Sequence, residues 1–380
     1  MSLGKSWTGA QELQVIGAPD WQAKALAYPK LVGEVSVGSI VVLNSSALDR
    51  GLGTGGYALV AAVLPDELAG PVTTGNSGPG HLVKARYTPT QAMVLGVDEQ
   101  ESPFHSVLEN ADSLDGMPVI TADLHSALPA IVTGINVEAD VLGIARPRIA
   151  YILSDGGALP AWFSMSVASM RETGWIAATI SVGQAYGGDY EAVSVHSGLL
   201  AAKHVVNADI AIVIQGPGNL GTGTRWGFSG VAVGEAMNAA SILGGRAIGS
   251  LRISSGDQRE RHLGISHHSR TALGRVALAP GTIISGAVDT EADWFGALPA
   301  PEGIESNTAL LELVARQLEE FSAQAPQHTV VSVPLTAQLD EALRDCPVRL
   351  STMGRNYDRD PFAFLVPAAA GVHAVQILHS

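Results

Sequence analysis

A chain of 380 residues with 46% hydrophobic residues, 15% charged residues and 43 glycines has the composition of a glycine-rich globular protein, large enough for two domains. Its formal net charge of −14 sets it against a nucleic-acid backbone or an anionic membrane surface, so neither is expected as a partner. The single cysteine, Cys346, excludes a disulfide framework and a cysteine-built zinc site.

The chain opens Met1-Ser-Leu-Gly-Lys5 without the apolar core of a signal peptide, and residues 1–3 read as a leader outside the fold. No stretch reaches the ~18 consecutive apolar residues of a membrane span. A cytoplasmic protein is expected. Short β-branched runs follow at Val35, Val37 and Ile40 to Leu43, punctuated by Gly33 and Gly38. Runs of that length between glycines predict a small β-barrel or β-sandwich. The stretch "PDELAGPVTTGNSGPG" (65–80) is a surface loop or linker by composition. Strand character resumes in "HLVKARYTPTQAMVLGVDEQE", and the change of rhythm beyond it places a boundary between Ser102 and Ser113. The expected division is a small β domain over residues 1–105 and a larger domain over 106–380.

From about Asp115 the pattern alternates strand and helix. "MPVIT", "RIAYIL" (148–153), "WIAATISV" (175–182), "EAVSV" (191–195), "ADIAIVIQ" (208–215) and "RAIGSLRIS" (246–254) are strand-like, with helices at 160–173 and 231–243. Leu310, Leu311, Val314, Leu318 and Phe321 mark a further helix by their period, "TVVSV" (329–333) a strand, and Leu335, Leu339 and Leu343 another helix. Pro361 opens the last helix. Near-continuous apolar strands between helices predict an α/β, Rossmann-like fold: a mostly parallel sheet with helices on both faces.

In such a sheet ligands bind outside the carboxyl ends of the strands, so the segments after each strand are the candidate site. They carry Asp123 and His125, Asp155, His196, the glycine-rich loop "QGPGNLGTGTRWGFSG" (215–230), and "SSGDQRERHLGISHHSR". Gly216, Gly218 and Gly221 fit G-x-G-x-x-G behind a strand. The helix that should begin at the third glycine is delayed, however, and the acidic residue expected ~20 positions on falls at Glu235, inside a predicted helix. A dinucleotide site is therefore disfavoured, and without the lysine of G-x-x-x-x-G-K-[ST] the loop is not a P-loop. Two readings stay open. Either Gly216, Gly218, Asn219, Gly221, Thr222, Gly223, Thr224 and Arg225 cradle an anion through backbone N–H groups, hydroxyls and a guanidinium, or the glycines only permit a tight connection.

Asp155, His267 and His268 are the candidate acid/base groups. Adjacent histidines diverge on a helix or a strand, which argues against a bidentate metal site, and D-x-H at Asp123–His125 with His196 lacks a recognised metal pattern. No metal is assigned and no cofactor is named. Ser229 sits in no nucleophile elbow, which disfavours a Ser-His-Asp hydrolase. Arg355, Asp358, Arg359 and Asp360 read as surface ion pairs at the start of the last helix.

Seven stretches in order, "LNSSALDRGLGTGGYALV", "GPGHLVKARYTPTQAMVLGVDEQESP", "DLHSALPA", "DGGALPAWFS", "QGPGNLGTGTRWGFSG", "SHHSRTALGRVALAP" and "RLSTMGR", resemble the uncharacterised bacterial family catalogued as domain of unknown function 3866. The resemblance covers about Leu13 to His373 and implies a bacterial intracellular protein, with no catalytic residue to carry over. The residues themselves lead to an enzyme acting on a small anionic metabolite, phosphorylated or carboxylated. The alternative is a non-catalytic binding or regulatory protein working through a protein partner. A homodimer is the default oligomer.

Overall fold

The structure, a computed structural model, describes residues 2–17, 21–49, 51, 55–64 and 79–378. Strands β1 (Ser2–Trp7), β2 (Ala10–Gly17), β3 (Trp21–Ala27), β4 (Ile40–Asn44) and β5 (Tyr57–Leu64) form one sheet in the order β1-β2-β3-β5-β4. β3 and β5 run parallel and the other neighbours antiparallel. Alternation puts Leu13 and Val15 on one face, where they meet Ala25, Ala27, Ala58 and Val60 in a small core. The expected small β domain is thus a single mixed sheet, and no pairing of β1 with β4 closes it among the described residues. Residues 65–78 of the predicted linker lie outside the described residues, as does Arg50.

A short hairpin, β6 (Leu82–Lys84) and β7 (Ala92–Val94), leads into the large domain. Its strands are β8 (Pro118–Ala122), β9 (Ile149–Ser154), β10 (Ala178–Ser181), β11 (Tyr190–Glu191), β12 (Ile210–Gln215), β13 (Arg246–Ser250), a two-stranded pair β14 (Ile253–Ser254) and β15 (Gly264–Ile265), then β16 (Gly281–Ala287) and β17 (His328–Pro334). The main sheet has the order β11-β10-β9-β12-β8-β13-β16-β17, and every neighbouring pair is parallel. β8 and β12 are buried along their whole length, as a parallel sheet covered on both faces requires.

The covering helices are α1 (Ala127–Leu142), α2 (Met165–Glu172), α3 (Val195–His204), α4 (Ala232–Ile242), α5 (His267–Thr271), α6 (Asn307–Gln324), α7 (Ala337–Arg344) and α8 (Phe362–Leu378). α1, α7 and α8 pack together, with α8 against β8, β13 and β16, while α3 packs on α4 and the pair covers β9, β10, β8 and β13. Among the described residues no helix is long and apolar enough to cross a membrane.

After β8 the chain moves to β9 on one side, and after β12 it moves to β13 on the other. That reversal opens a crevice at the carboxyl ends of β12, β8 and β13, three consecutive strands. The N-terminal sheet is attached elsewhere, at Trp162. The Trp7 indole N–H donates to the Trp162 carbonyl at 2.6 Å, and the Tyr28 and Tyr186 rings lie 6.0 and 5.8 Å from the Trp162 ring.

The elements not anticipated include α1, α3 and β16, and Ser2 and Leu3, read as a leader outside the fold, pair with β2 as the start of β1. α1 is buried around most of its circumference, so it offers no polar face from which a helical period can be read. One predicted strand is mostly something else. "EAVSV" contributes only Glu191 to β11, and Ser194 caps α3 through a reciprocal bond with Ser197.

α1 and α8 touch backbone to backbone. A Cβ on Gly134 would run into the Ala368 carbonyl, and one on Gly371 into the Ile131 carbonyl. Gly134→Val is therefore expected to cost about 1–3 kcal/mol or more by overpacking. Denaturant unfolding reads the loss, and an unchanged midpoint would show that the helices can separate freely.

Candidate functional site

The segments that follow β8, β12 and β13 enclose a cleft of about 920 Å³. From β8 come Leu124, His125 and Ser126, just beyond the buried Asp123. From β12 come Gln215 to Asn219, with Gly221 and Gly223. From β13 come Arg252, Arg259, Arg261, His262 and His268, and the Pro347–Met353 segment with Arg349 closes the fourth side. β13 ends at Ser250 and β14 begins at Ile253, so Arg252 sits at the break between them, at the edge of the sheet.

Arg252, Arg259, Arg261 and Arg349 make this cleft positive in a protein of net charge −14. The placement of Arg252 and Arg259 rests on a buried network. Asp257 accepts from Arg259 Nε and Nη2 at 2.9 and 2.7 Å and from Arg355 Nη2 at 3.3 Å, and lies 3.6 Å from Arg252 Nη2. Burial pushes the Asp257 carboxyl up, but the Arg259 hydrogen bonds and the Arg355 charge outweigh it and hold Asp257 well below the usual carboxylate range. Arg355 also donates Nε to Asp360 at 2.9 Å, and Asp360 is fully buried. The ion pairs expected at the surface before α8 are thus partly internal. Arg252 Nη2 is buried and makes no hydrogen bond among the described residues, its nearest partner being the Asp257 carboxylate at 3.6 Å.

His262, His267 and His268 meet at one point. Their ring centroids lie 4.3 to 4.9 Å apart, and the candidate ligand nitrogens all fall within 4.8 Å of one another. Ser266, which caps α5 by accepting from His268 N, also bonds His262 Nδ1 at 2.8 Å. The His268 ring stacks flat on Phe228 at 3.8 Å, which ties the end of the glycine-rich loop to the histidines. Asp123 Oδ2 lies 3.9 Å from His268 Nδ1. Burial, aided by Arg252 and Arg259, pushes His262 down to about 3; burial, the other two histidines and the same arginines push His268 down to about 3. Burial and Arg261 lower His267 as well. The cluster is neutral at physiological pH. Burial pushes Asp123 up, against the pull of Arg252.

The argument that adjacent histidines diverge fails here. The two rings lie only 4.3 Å apart at the start of α5, and His262 joins them from just before β15.

The glycine-rich loop walls the cleft with Gly216, Gly218, Asn219, Gly221 and Gly223, and Gly218 and Gly223 adopt φ of 89° and 79°, which favours glycine there. The remainder folds back on itself. Thr222 N donates to Gly227 O at 2.8 Å, Thr224 Oγ1 accepts from Gly227 N at 3.1 Å, and Thr222 and Thr224 bond each other at 3.2 Å. Asn219 Oδ1 accepts from Gln215, Ser229 and the Gly230 N–H. Thr222, Thr224 and Arg225 are exposed and do not line the cleft, so the hydroxyls and guanidinium predicted to hold an anion close a hairpin or face solvent.

Asp155 is not beside the histidines either. It is exposed and accepts from Gln184 N at 2.8 Å, because β9 hands the chain toward β10 and away from the cleft. His125 lines the cleft, but Tyr151 Oη (3.2 Å) and Ser164 Oγ (2.7 Å) engage both of its ring nitrogens, and burial lowers it to about 4. His196 lies in the first turn of α3 and does not line the cleft, so Asp123, His125 and His196 form no metal set. Sequence reasoning missed Arg252, Arg259, Arg261 and Arg349. The signal for two of them was present in "DQRERH", a paired-arginine loop directly behind a strand.

A larger and mostly apolar cleft, about 1330 Å³, opens between β5, the β6–β7 hairpin and the Gly157–Phe163 segment. It gathers Lys30, Tyr28, Tyr186 and Glu191. A family model described as "Protein of unknown function (DUF3866)" matches residues 24–371 of the chain. No curated protein and no solved structure matches it.

Proposed function

The chain belongs to the DUF3866 family, whose description assigns no activity, and from that premise we propose that it is an enzyme acting on a small anionic metabolite, phosphorylated or carboxylated, held in the arginine-lined cleft. One observation carries this reading: Arg252, whose buried Nη2 makes no hydrogen bond and has only a 3.6 Å ion pair with Asp257, lines a cleft with Arg259, Arg261 and Arg349, in a protein of net charge −14. A planar guanidinium fork fits carboxylate and phosphate oxygens in bidentate geometry. Backbone around Gly216, Gly218 and Gly221 allows close approach of the ligand, so the glycine-rich loop serves as a wall while the arginines carry the charge. The neutral imidazoles of His262 and His268 put lone pairs at the same cleft. We place the protein in the cytoplasm, consistent with its lone free cysteine, Cys346.

A thermal-shift screen tests the reading with sugar phosphates, nucleotides and small carboxylates beside their neutral parent compounds. At one hundred times its dissociation constant a ligand adds about 2.7 kcal/mol of stability, and the shift is expected from anions only. Equal shifts from the neutral parents, or silence throughout, would remove the anion site. Incubation of any hit with the protein then separates catalysis from binding: a changed product mass supports the enzyme, and an unchanged hit supports a non-catalytic binding protein.

A further inference from the structure

We propose that Asp123, His262, His267 and His268 form a binding site for one divalent first-row metal ion of the zinc class. The candidate imidazole nitrogens lie within 4.8 Å of one another and Asp123 Oδ2 is 3.9 Å from His268 Nδ1. Three of the atoms that face this point are buried without any hydrogen-bond partner among the described residues: His267 Nε2, His268 Nδ1 and Asp123 Oδ2. Buried polar atoms are almost always paired. Here the unpaired nitrogens of His267 and His268 lie in one three-histidine cluster and the unpaired Asp123 Oδ2 sits 3.9 Å from one of them, the arrangement a cation completes.

The surroundings hold these groups in place. Ser266 engages His262 Nδ1 and thereby leaves Nε2 as the ligand nitrogen, the outer-sphere bond that metal-binding histidines ordinarily make. Phe228 fixes the plane of the His268 ring. Zinc bonds of about 2.0–2.1 Å put tetrahedral ligand atoms roughly 3.4 Å apart, so the nitrogens, within 4.8 Å of one another, draw closer on an ion. Imidazole nitrogen with one carboxylate suits zinc, cobalt, nickel or iron and not magnesium or calcium, which take oxygen ligands. His262 and His268 also line the cleft, so a bound ion has one side open to a ligand there.

The arginines oppose a cation at this point, and that opposition has a consequence. An anion bridging the ion and the Arg252 guanidinium cancels the repulsion, so ion and anion bind with positive coupling, and by linkage each raises the affinity of the other. The metal proposal does not depend on catalysis or on the identity of the metabolite.

The experiment is calorimetric titration of chelator-treated whole protein with ZnCl2, and with CoCl2 read by visible absorption, each with and without inorganic phosphate. The expected result is one ion per chain, cobalt bands of a low-coordinate nitrogen site, and tighter metal binding when phosphate is present. His268→Ala is expected to lose more than the about 10–100-fold that removal of an outer-sphere partner costs. Asp123→Asn, nearly isosteric, gives the same direction if the alanine variant does not fold, and His196→Ala should bind as wild type does. Folded wild type that takes up no stoichiometric ion with or without phosphate overturns the proposal, as does equal uptake by His268→Ala and Asp123→Asn. Phosphate binding to the metal-free protein is measured in the same series, so failure of the metal site and failure of the anion site give different results.

Discussion

Asp360→Ala is expected to destabilise the protein by about 3–5 kcal/mol, the cost of breaking a buried charge pair from one side, and to weaken anion binding in the cleft. Asp360 is fully buried just before α8. Its carboxylate accepts from Ser254 Oγ at 2.6 Å, Ser255 N at 2.8 Å, Ser255 Oγ at 3.2 Å, Gly256 N at 3.2 Å and Arg355 Nε at 2.9 Å. Alanine removes every one of these acceptors and leaves Arg355 with Asp257 alone. The same loop carries Asp257, the residue that positions Arg259 and lies against Arg252. Stability and binding should therefore fall together. Asp360→Asn keeps one acceptor oxygen and should lie between the two. Denaturant unfolding with calorimetric binding measures both, and a variant with wild-type stability would show that the network is not structural.

Lys84→Met is the second large effect. The Lys84 ammonium is 3% exposed and donates to the carbonyls of Ser181 (3.3 Å), Ala185 (2.8 Å) and Ala192 (2.9 Å), with Glu191 Oε2 at 3.4 Å. It fastens the β6–β7 hairpin beneath the ends of β10 and β11. Three carbonyl acceptors use all three ammonium hydrogens, so the side chain is charged even though burial lowers its pKa. Methionine fills similar volume and leaves Glu191 buried without its cation, at a cost of about 3–5 kcal/mol.

This loss depends on pH. In the intact protein burial already pushes Glu191 from 4.5 up to about 7 against the pull of Lys84. Without the lysine it rises further, and neither Asp155 nor Tyr186, which act on the pair, supplies positive charge. The folded variant then holds a proton that the unfolded chain releases above 4.5, so stability falls as pH rises through the window from there to beyond 7. The penalty should be small near pH 5 and largest near pH 8, and adding Glu191→Gln should recover part of it. A loss that is the same at both pH values would contradict this account of the pair.

The sequence made the sheet readable where burial on both faces leaves a continuous apolar run, as in "ADIAIVIQ", which becomes β12. It hid α1, because a helix buried against α7 and α8 carries no polar stripe. The sheet edge that borders the cleft was legible from topology, and His262, His267 and His268 cluster beside it. The arginines were not, for two different reasons. Arg252 looks like an ordinary strand residue until the break after Ser250 turns it into the cleft. Arg349 joins the cleft through a contact between segments almost one hundred residues apart, which no local pattern encodes. The glycine-rich loop drew attention to Arg225, while its hydrogen bonds are spent on a hairpin that leaves that side chain in solvent. Histidine adjacency misled in the opposite direction, since Cβ divergence says little about where two imidazoles converge.

The most direct test of the central claim compares which arginine carries the anion. Arg225→Ala and Arg261→Ala are both exposed-site changes, so each variant should fold, and both are titrated with inorganic phosphate beside wild type. The account predicts that Arg225→Ala binds as wild type does, and that Arg261→Ala loses about tenfold or more in affinity, the 1.4 kcal/mol of one lost charged contact. Loss in Arg225→Ala with full binding in Arg261→Ala would contradict it, and would return the site to the glycine-rich loop.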